Sequence, residues 1–159
     1  SLMFLDIGAV TTTAYINTSG EIAYSRIIPM GGIDIDRYVA KFNSEATGAD
    51  QINIEKLDLS LASLRSDEPL GNAVRPLVTT VNDGIQRIQQ FLSGRLLNGK
   101  VDMIYLYGRT ATFQNFDKTL GEAFGVQTEL IRKIGRVTIP ESLPVAPYVN
   151  AIGAMIRLD

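Results

Sequence analysis

LMFLDIGAVTTTAYI (Leu2–Ile16) opens as an apolar run, breaks at an aspartate, and resumes after a glycine and three threonines. Leu2–Asp6 reads as a buried strand and Val10–Asn17 as its hairpin partner. The break itself has two readings. Asp and Gly are turn residues, because Asp hydrogen-bonds nearby backbone and Gly accepts positive φ. The same residues also suit a phosphate or metal site, with the carboxylate of Asp6 facing a cation and Thr hydroxyls and amides facing an anion.

Working outward, NTSG (Asn17–Gly20) is a second turn signal and EIAYSRII (Glu21–Ile28) a third strand. Three strands joined by tight turns form an antiparallel meander. Pro29 and Gly31-Gly32 end it, and Ile33 or Asp34 opens a helix through about Ala46, with Ile35, Tyr38, Val39 and Phe42 on one face. Residues 47–67 fit a short strand or a helix-led linker equally well. SDEPLG (Ser66–Gly71) signals a helix start. A long helix is expected from about Asn72 to Leu92, with Pro76 in its first turn and an apolar stripe from Val74 to Leu92. KVDMIYLYG (Lys100–Gly108) is a fourth strand, followed by the polar turn RTATFQNF and a helix carrying Phe113, Phe116, Leu120 and Phe124, closed by Gly125. VQTELI (Val126–Ile131) is a fifth strand, and Asn150–Leu158 a last helix. The order, βββ-α-linker-α-β-α-β-α, specifies an α/β fold: a mixed five-stranded sheet flanked by helices.

Composition narrows the chemistry. With 159 residues, 45% of them hydrophobic, the chain can fill one core. A net charge of -2 lacks the basic face of an electrostatic nucleic-acid binder. The chain has no cysteine and no histidine, which removes disulfides, thiolate nucleophiles, zinc clusters and a histidine base. No stretch reaches the roughly 18 apolar residues of a spanning helix, and Leu2–Leu5 is too short for a signal peptide core. Ser1 stands where an initiator Met would, so a domain cut from a longer protein is expected.

Four motifs in this order carry a resemblance. Asp6-Ile7-Gly8-Ala9-Val10-Thr11-Thr12 resembles the second phosphate loop of the actin-like ATPase superfamily, and SRIIPMGGIDI (Ser25–Ile35) the stretch that follows it. MIYLYGRTATFQNFDKTLGEAFG (Met103–Gly125) resembles the adenosine motif. PYVNAIGAMIRLD (Pro147–Asp159) resembles the closing helix, with Asn150, Ala151, Gly153 and Ala154 where close packing against another lobe is expected. The combination is most similar to the PilM proteins of type IV pilus assembly, then to the division protein FtsA. The resemblance covers about Leu2–Leu158 and implies the second lobe of an actin-like (ribonuclease H-like) protein, with its core at about 1–32 and 100–159 and a mainly helical subdomain at about 33–99.

The resemblance further implies ATP and Mg²⁺ in a two-lobed cleft. Gly8, Ala9, Thr11 and Thr12 would wrap phosphates, and Asp6 would hold a magnesium-bound water. Gly31 and Gly32 form a neighbouring turn, and Gly108, Arg109 and Thr110 the adenosine region. Two departures stand out. Val10 is β-branched and resists a left-handed turn. Arg109 replaces a glycine of the usual pair, where it either stacks on the base or blocks it, and lowered nucleotide affinity is expected. Asp50, Glu55 and Lys56 are ribose candidates without a clean register. Asp34 and Asp36 read as helix-start charges, the phenylalanines as core, and Arg95-Leu96-Leu97 as a helix end. The implied function is a non-catalytic scaffold, cytoplasmic and peripheral at the inner membrane. It would partner its own first lobe, the tail of a PilN-like bitopic protein and the assembly ATPase, with no nucleic acid and no direct membrane insertion. An FtsA-like polymerising anchor, or half of a superfamily ATPase or kinase, is the alternative.

Overall fold

A computed structural model describes residues 1–48, 51–54, 57–60, 69–95, 100–135 and 137–156. Its centre is a five-stranded sheet in the order β3-β2-β1-β4-β5. β1 (Leu2–Ile7), β2 (Thr12–Thr18) and β3 (Glu21–Ile28) form the expected antiparallel meander. β4 (Met103–Tyr107) adds parallel to β1, and β5 (Thr128–Leu130) parallel to β4. The sheet is therefore mixed, with the meander on one side and the parallel crossovers on the other.

Alternation decides which side of each strand is buried. Met3, Leu5 and Ile7, with Ala14, Ile16, Ile104 and Leu106, face a core roofed by helices. α1 (Gly32–Glu45) supplies Ile35 and Val39, and α2 (Pro69–Arg95) the stripe Val74, Leu77, Val81, Ile85, Ile88 and Leu92. α3 (Phe116–Phe124) adds Phe116 and Leu120. These positions recur every three or four residues, so each helix turns one apolar face to the sheet. α1 and α2 thus share a single core with the strands, although both fall in the range read as a helical subdomain. On the opposite face, Phe4 stacks on Tyr105 with centroids 5.5 Å apart. There a groove of about 700 Å³ runs beneath α4 (Val149–Met155).

Several boundaries differ from the sequence reading. α2 begins at Pro69, so Pro76 lies inside the helix and has no N–H to give the Asn72 carbonyl. β2 starts at Thr12, leaving Val10 on the hairpin tip at 64% exposure. Phe113 stays in the turn before α3, because Asn115 takes a left-handed conformation at the helix entry. Residues 57–60 are extended: Leu59 N–H donates to the Gln114 carbonyl (3.0 Å), and Thr119 Oγ1 to the Leu59 carbonyl (2.5 Å). This ties the segment to the start of α3 and buries Leu57 and Leu59. Asp50, Glu55, Lys56, the SDE of the SDEPLG signal, the Leu96-Leu97 end and residues 157–159 lie outside the described residues.

Candidate functional site

β1 and β4 run parallel with Asp6 opposite Tyr107, so the turns that follow them emerge side by side on one rim. The contact is close. A Cβ built on Gly108 would stand 2.5 Å from the Ile7 carbonyl oxygen and 2.7 Å from Asp6 Oδ1. Gly108 also has φ +93, so two constraints exclude a side chain there. Its N–H donates to the Ala146 carbonyl (2.9 Å), which draws the chain before α4 to the same rim.

The hairpin at residues 8–11 is closed by the Gly8 N–H donating to the Thr11 carbonyl (3.0 Å). Two of its carbonyls are taken from outside. Gly8 O accepts from the Gly32 N–H (3.0 Å) and from Thr110 Oγ1 (3.1 Å), and Ala9 O from the Ile33 N–H (2.8 Å). Its amides are not: the N–H groups of Ala9, Val10 and Thr11 have no acceptor among the described residues. The tip therefore presents successive donors, the arrangement that suits an anion. Neither Gly8 nor any residue of the tip has positive φ, so the β-branched Val10 fits without strain.

Gly31 and Gly32 serve this hairpin by packing. A Cβ on Gly31 would lie 2.5 Å from Ala9 O, and one on Gly32 would run into Thr110 Oγ1. The Gly31 N–H donates to Asp34 Oδ2 (3.2 Å), so Asp34 caps α1 as a helix-start charge should. The first amides of α1 are spent on the hairpin carbonyls, so the neighbouring turn supports the loop and offers no donors of its own.

Thr12 is placed differently from Thr11. It pairs with Ile7, faces the core with zero exposure, and donates its hydroxyl to the Met30 carbonyl (2.9 Å). Its side chain belongs to the packing beneath the loop, and of the two threonines only Thr11 stays at the surface. The period of two puts neighbouring residues on opposite faces, which a reading of TTT as a hydroxyl cluster overlooks.

Beside the tip opens a cleft of about 500 Å³, lined by Ala9, Ile33, Asp36, Arg109, Thr110 and Thr112 among others. Arg109 and Thr110 thus line the same cleft as Ala9. Asp36 was not expected: it is exposed one turn into α1 and faces the cleft, while Asp34 two residues earlier is a cap. Asn150, which shares α4 with the exposed Ala151, Gly153 and Ala154, donates its Nδ2 to Asp6 Oδ2 at 2.7 Å. On the other side of Asp6, burial pushes the Tyr107 phenol well above its ordinary range, with the Asp6 carboxylate and Tyr15 adding to the shift. Among the described residues no three acidic side chains cluster as a metal cage. A single carboxylate at a corner is what a magnesium ion that keeps most of its waters requires.

The family model for the type IV pilus assembly protein PilM matches residues 1–144. The chain belongs to the PilM family of type IV pilus assembly proteins. Among solved structures, a PilM–PilN type IV pilus biogenesis complex superposes with TM-score 0.69 and 21% identity, over 96% of this chain and 44% of that one. MreB 5 of Spiroplasma citri bound to AMPPNP follows at TM-score 0.58 and 21% identity, over 80% and 47%. The ethanolamine utilization protein EutJ from Carboxydothermus hydrogenoformans gives 0.52 and 18%, over 80% and 43%. The fold is that of actin-like ATPase domains, and this chain spans less than half the length of each of these PilM and actin-like chains. No curated protein sequence matches it.

Proposed function

We propose that this PilM-family chain is the second lobe of an actin-like scaffold, and that it forms one wall of an ATP cleft in the intact protein. The observation that carries the reading is the rim itself. Three free amides at residues 9–11, the Asp6 carboxylate and the side-chain-free Gly108 converge there, with a cleft of about 500 Å³ alongside. The amides of Ala9, Val10 and Thr11 and the Thr11 hydroxyl would hold phosphate, and Asp6 a water of Mg²⁺. Arg109, Thr110 and Asp36 would border the nucleoside. Bound magnesium supplies charge neutralisation for the phosphates.

The scaffold reading is supported by membership of a family of pilus assembly proteins. The intact protein would use nucleotide occupancy to set the spacing of its lobes. It would sit at the cytoplasmic side of the inner membrane by holding the tail of a PilN-like bitopic protein and contacting the assembly ATPase. No helix among the described residues is long and apolar enough to cross a membrane.

Calorimetry tests the reading. The full-length protein should bind Mg-ATP, whereas this lobe alone should show nothing tighter than about 1 mM, or about -4 kcal/mol. Asp6→Ala should weaken Mg-ATP binding in the full-length protein and leave its unfolding midpoint near wild type. Equal losses of both would reduce Asp6 to a turn residue, and micromolar binding by the lobe alone would reverse the reading of Arg109.

A further inference from the structure

We propose that Asn150 is the positioning residue for the Asp6 carboxylate, fixing it from α4 so that one oxygen stays directed at the rim; this rests on the nucleotide reading above. The geometry is specific. Asn150 Nδ2 lies 2.7 Å from Asp6 Oδ2, while Oδ1 sits over the space left by the missing Cβ of Gly108. An aspartate at a strand end can rotate its carboxylate, and one hydrogen bond to one oxygen selects an orientation. The chemistry of the partner matters as much as its distance. A carboxylate only accepts, and a carboxamide N–H donates to it without adding charge. A lysine or arginine in this place would orient Asp6 equally well but would repel the cation it is meant to face.

The link is also anchored. The Gly108 N–H to Ala146 carbonyl bond holds the chain just ahead of α4 against the same rim, so Asn150 approaches Asp6 from a fixed start. α4 in turn lines the groove on the open sheet face, through Val149 and Gly153. Asn150 therefore joins the rim of the cleft to the helix that borders this second surface.

Two measurements on the full-length protein decide it. With asparagine nitrogens labelled, the Asn150 carboxamide signal should move from its wild-type position in Asp6→Ala, which removes its acceptor. A signal indifferent to Asp6 overturns the proposal whether or not nucleotide binds. In the second, Asn150→Ala should weaken Mg-ATP binding about 3- to 10-fold, the scale of one typical hydrogen bond. It should leave ATP binding in excess EDTA unchanged, and have no further effect in an Asp6→Ala background. Equal loss with and without magnesium would make Asn150 a merely structural residue and overturn the role. Absence of Mg-ATP binding by the wild-type protein would instead sink the nucleotide reading, and the positioning role with it.

Discussion

β2 is bounded by two hairpin turns, one at each end, and they are built in opposite ways. At Ser19-Gly20 both residues take positive φ, 55° and 90°, and the turn stands free: a Cβ on Gly20 would touch nothing within 4 Å. Its one extra bond is local, from the Gly20 N–H to Asn17 Oδ1 at 3.2 Å. At residues 8–11 no φ is positive, yet the carbonyls of Gly8 and Ala9 are held by α1 and Thr110 while successive amides are left open. The first turn reverses the chain by means of its own dihedrals. The second is held in shape by neighbours 24 and 102 positions away in sequence, and it directs its unused donors outward. A turn becomes a site when its acceptors are consumed from outside and its donors are not.

The largest test of this contrast is a methyl group at each end. Gly31→Ala and Gly108→Ala place a Cβ 2.5 Å from the carbonyls of Ala9 and Ile7, so the loop or the helix start must move. Each should cost about 3 kcal/mol or more in denaturant unfolding. Gly20→Ala meets only the positive-φ penalty, about 1 kcal/mol. Comparable losses at all three positions would mean that the 8–11 hairpin is no more constrained than a solvent turn.

Thr12→Val sharpens the point one layer below the tip. It keeps the shape of a buried side chain and removes the only proton reaching the Met30 carbonyl from Thr12, which should cost about 2 kcal/mol. Nucleotide affinity of the full-length protein should follow stability and show no selective loss. A selective loss of Mg-ATP binding with stability intact would return Thr12 to the phosphate shell.

How much of this was legible beforehand follows from the range of the interactions. The meander could be read because alternation and NTSG are local, and the rim because parallel pairing of two strand ends follows from their order. Four things could not be read. Val10 belongs to the strand by β-propensity and leaves it only because the hairpin closes at Gly8 and Thr11. Pro76 looked like a first-turn residue because nothing in the apolar spacing marks a helix beginning at Pro69. Asn150 and Asp6 are 144 positions apart, and neither residue type nor spacing signals a contact at that range. Asp36 escaped for a related reason: sequence places it on α1 without saying which flank of the helix borders the cleft.

Alkaline titration probes the strand beside the built turn. The Tyr107 phenol is 6% exposed and its pKa is raised in the folded chain, first by burial and then by Asp6 and Tyr15. In the unfolded chain it ionises near its ordinary value of about 10. Its contribution is therefore fully present below that pH. Above it the unfolded state sheds a proton that the folded state retains, so stability falls by about 1.4 kcal/mol per pH unit from this group. Tyr107→Phe should flatten the curve by that slope relative to wild type. Identical slopes would show that water reaches the phenol and that the rim beside Asp6 is more open than its packing suggests.

The smallest expected effect on the fold is the one that bears most directly on the use of the tip. Thr11 is partly exposed, its hydroxyl makes no bond among the described residues, and its amide is one of the three open donors. Thr11→Val should leave unfolding within about 0.5 kcal/mol of wild type, as surface substitutions do. It removes a donor from the proposed phosphate face while keeping the amide, so Mg-ATP affinity in the full-length protein should drop by about 3-fold, the lower end for one hydrogen bond. Set beside Thr12→Val, it separates adjacent residues of the same type by the face they occupy: one should move stability and the other affinity. If Thr11→Val destabilises the chain as much as Thr12→Val does, both hydroxyls are structural, and the open amides alone are left to define the anion site.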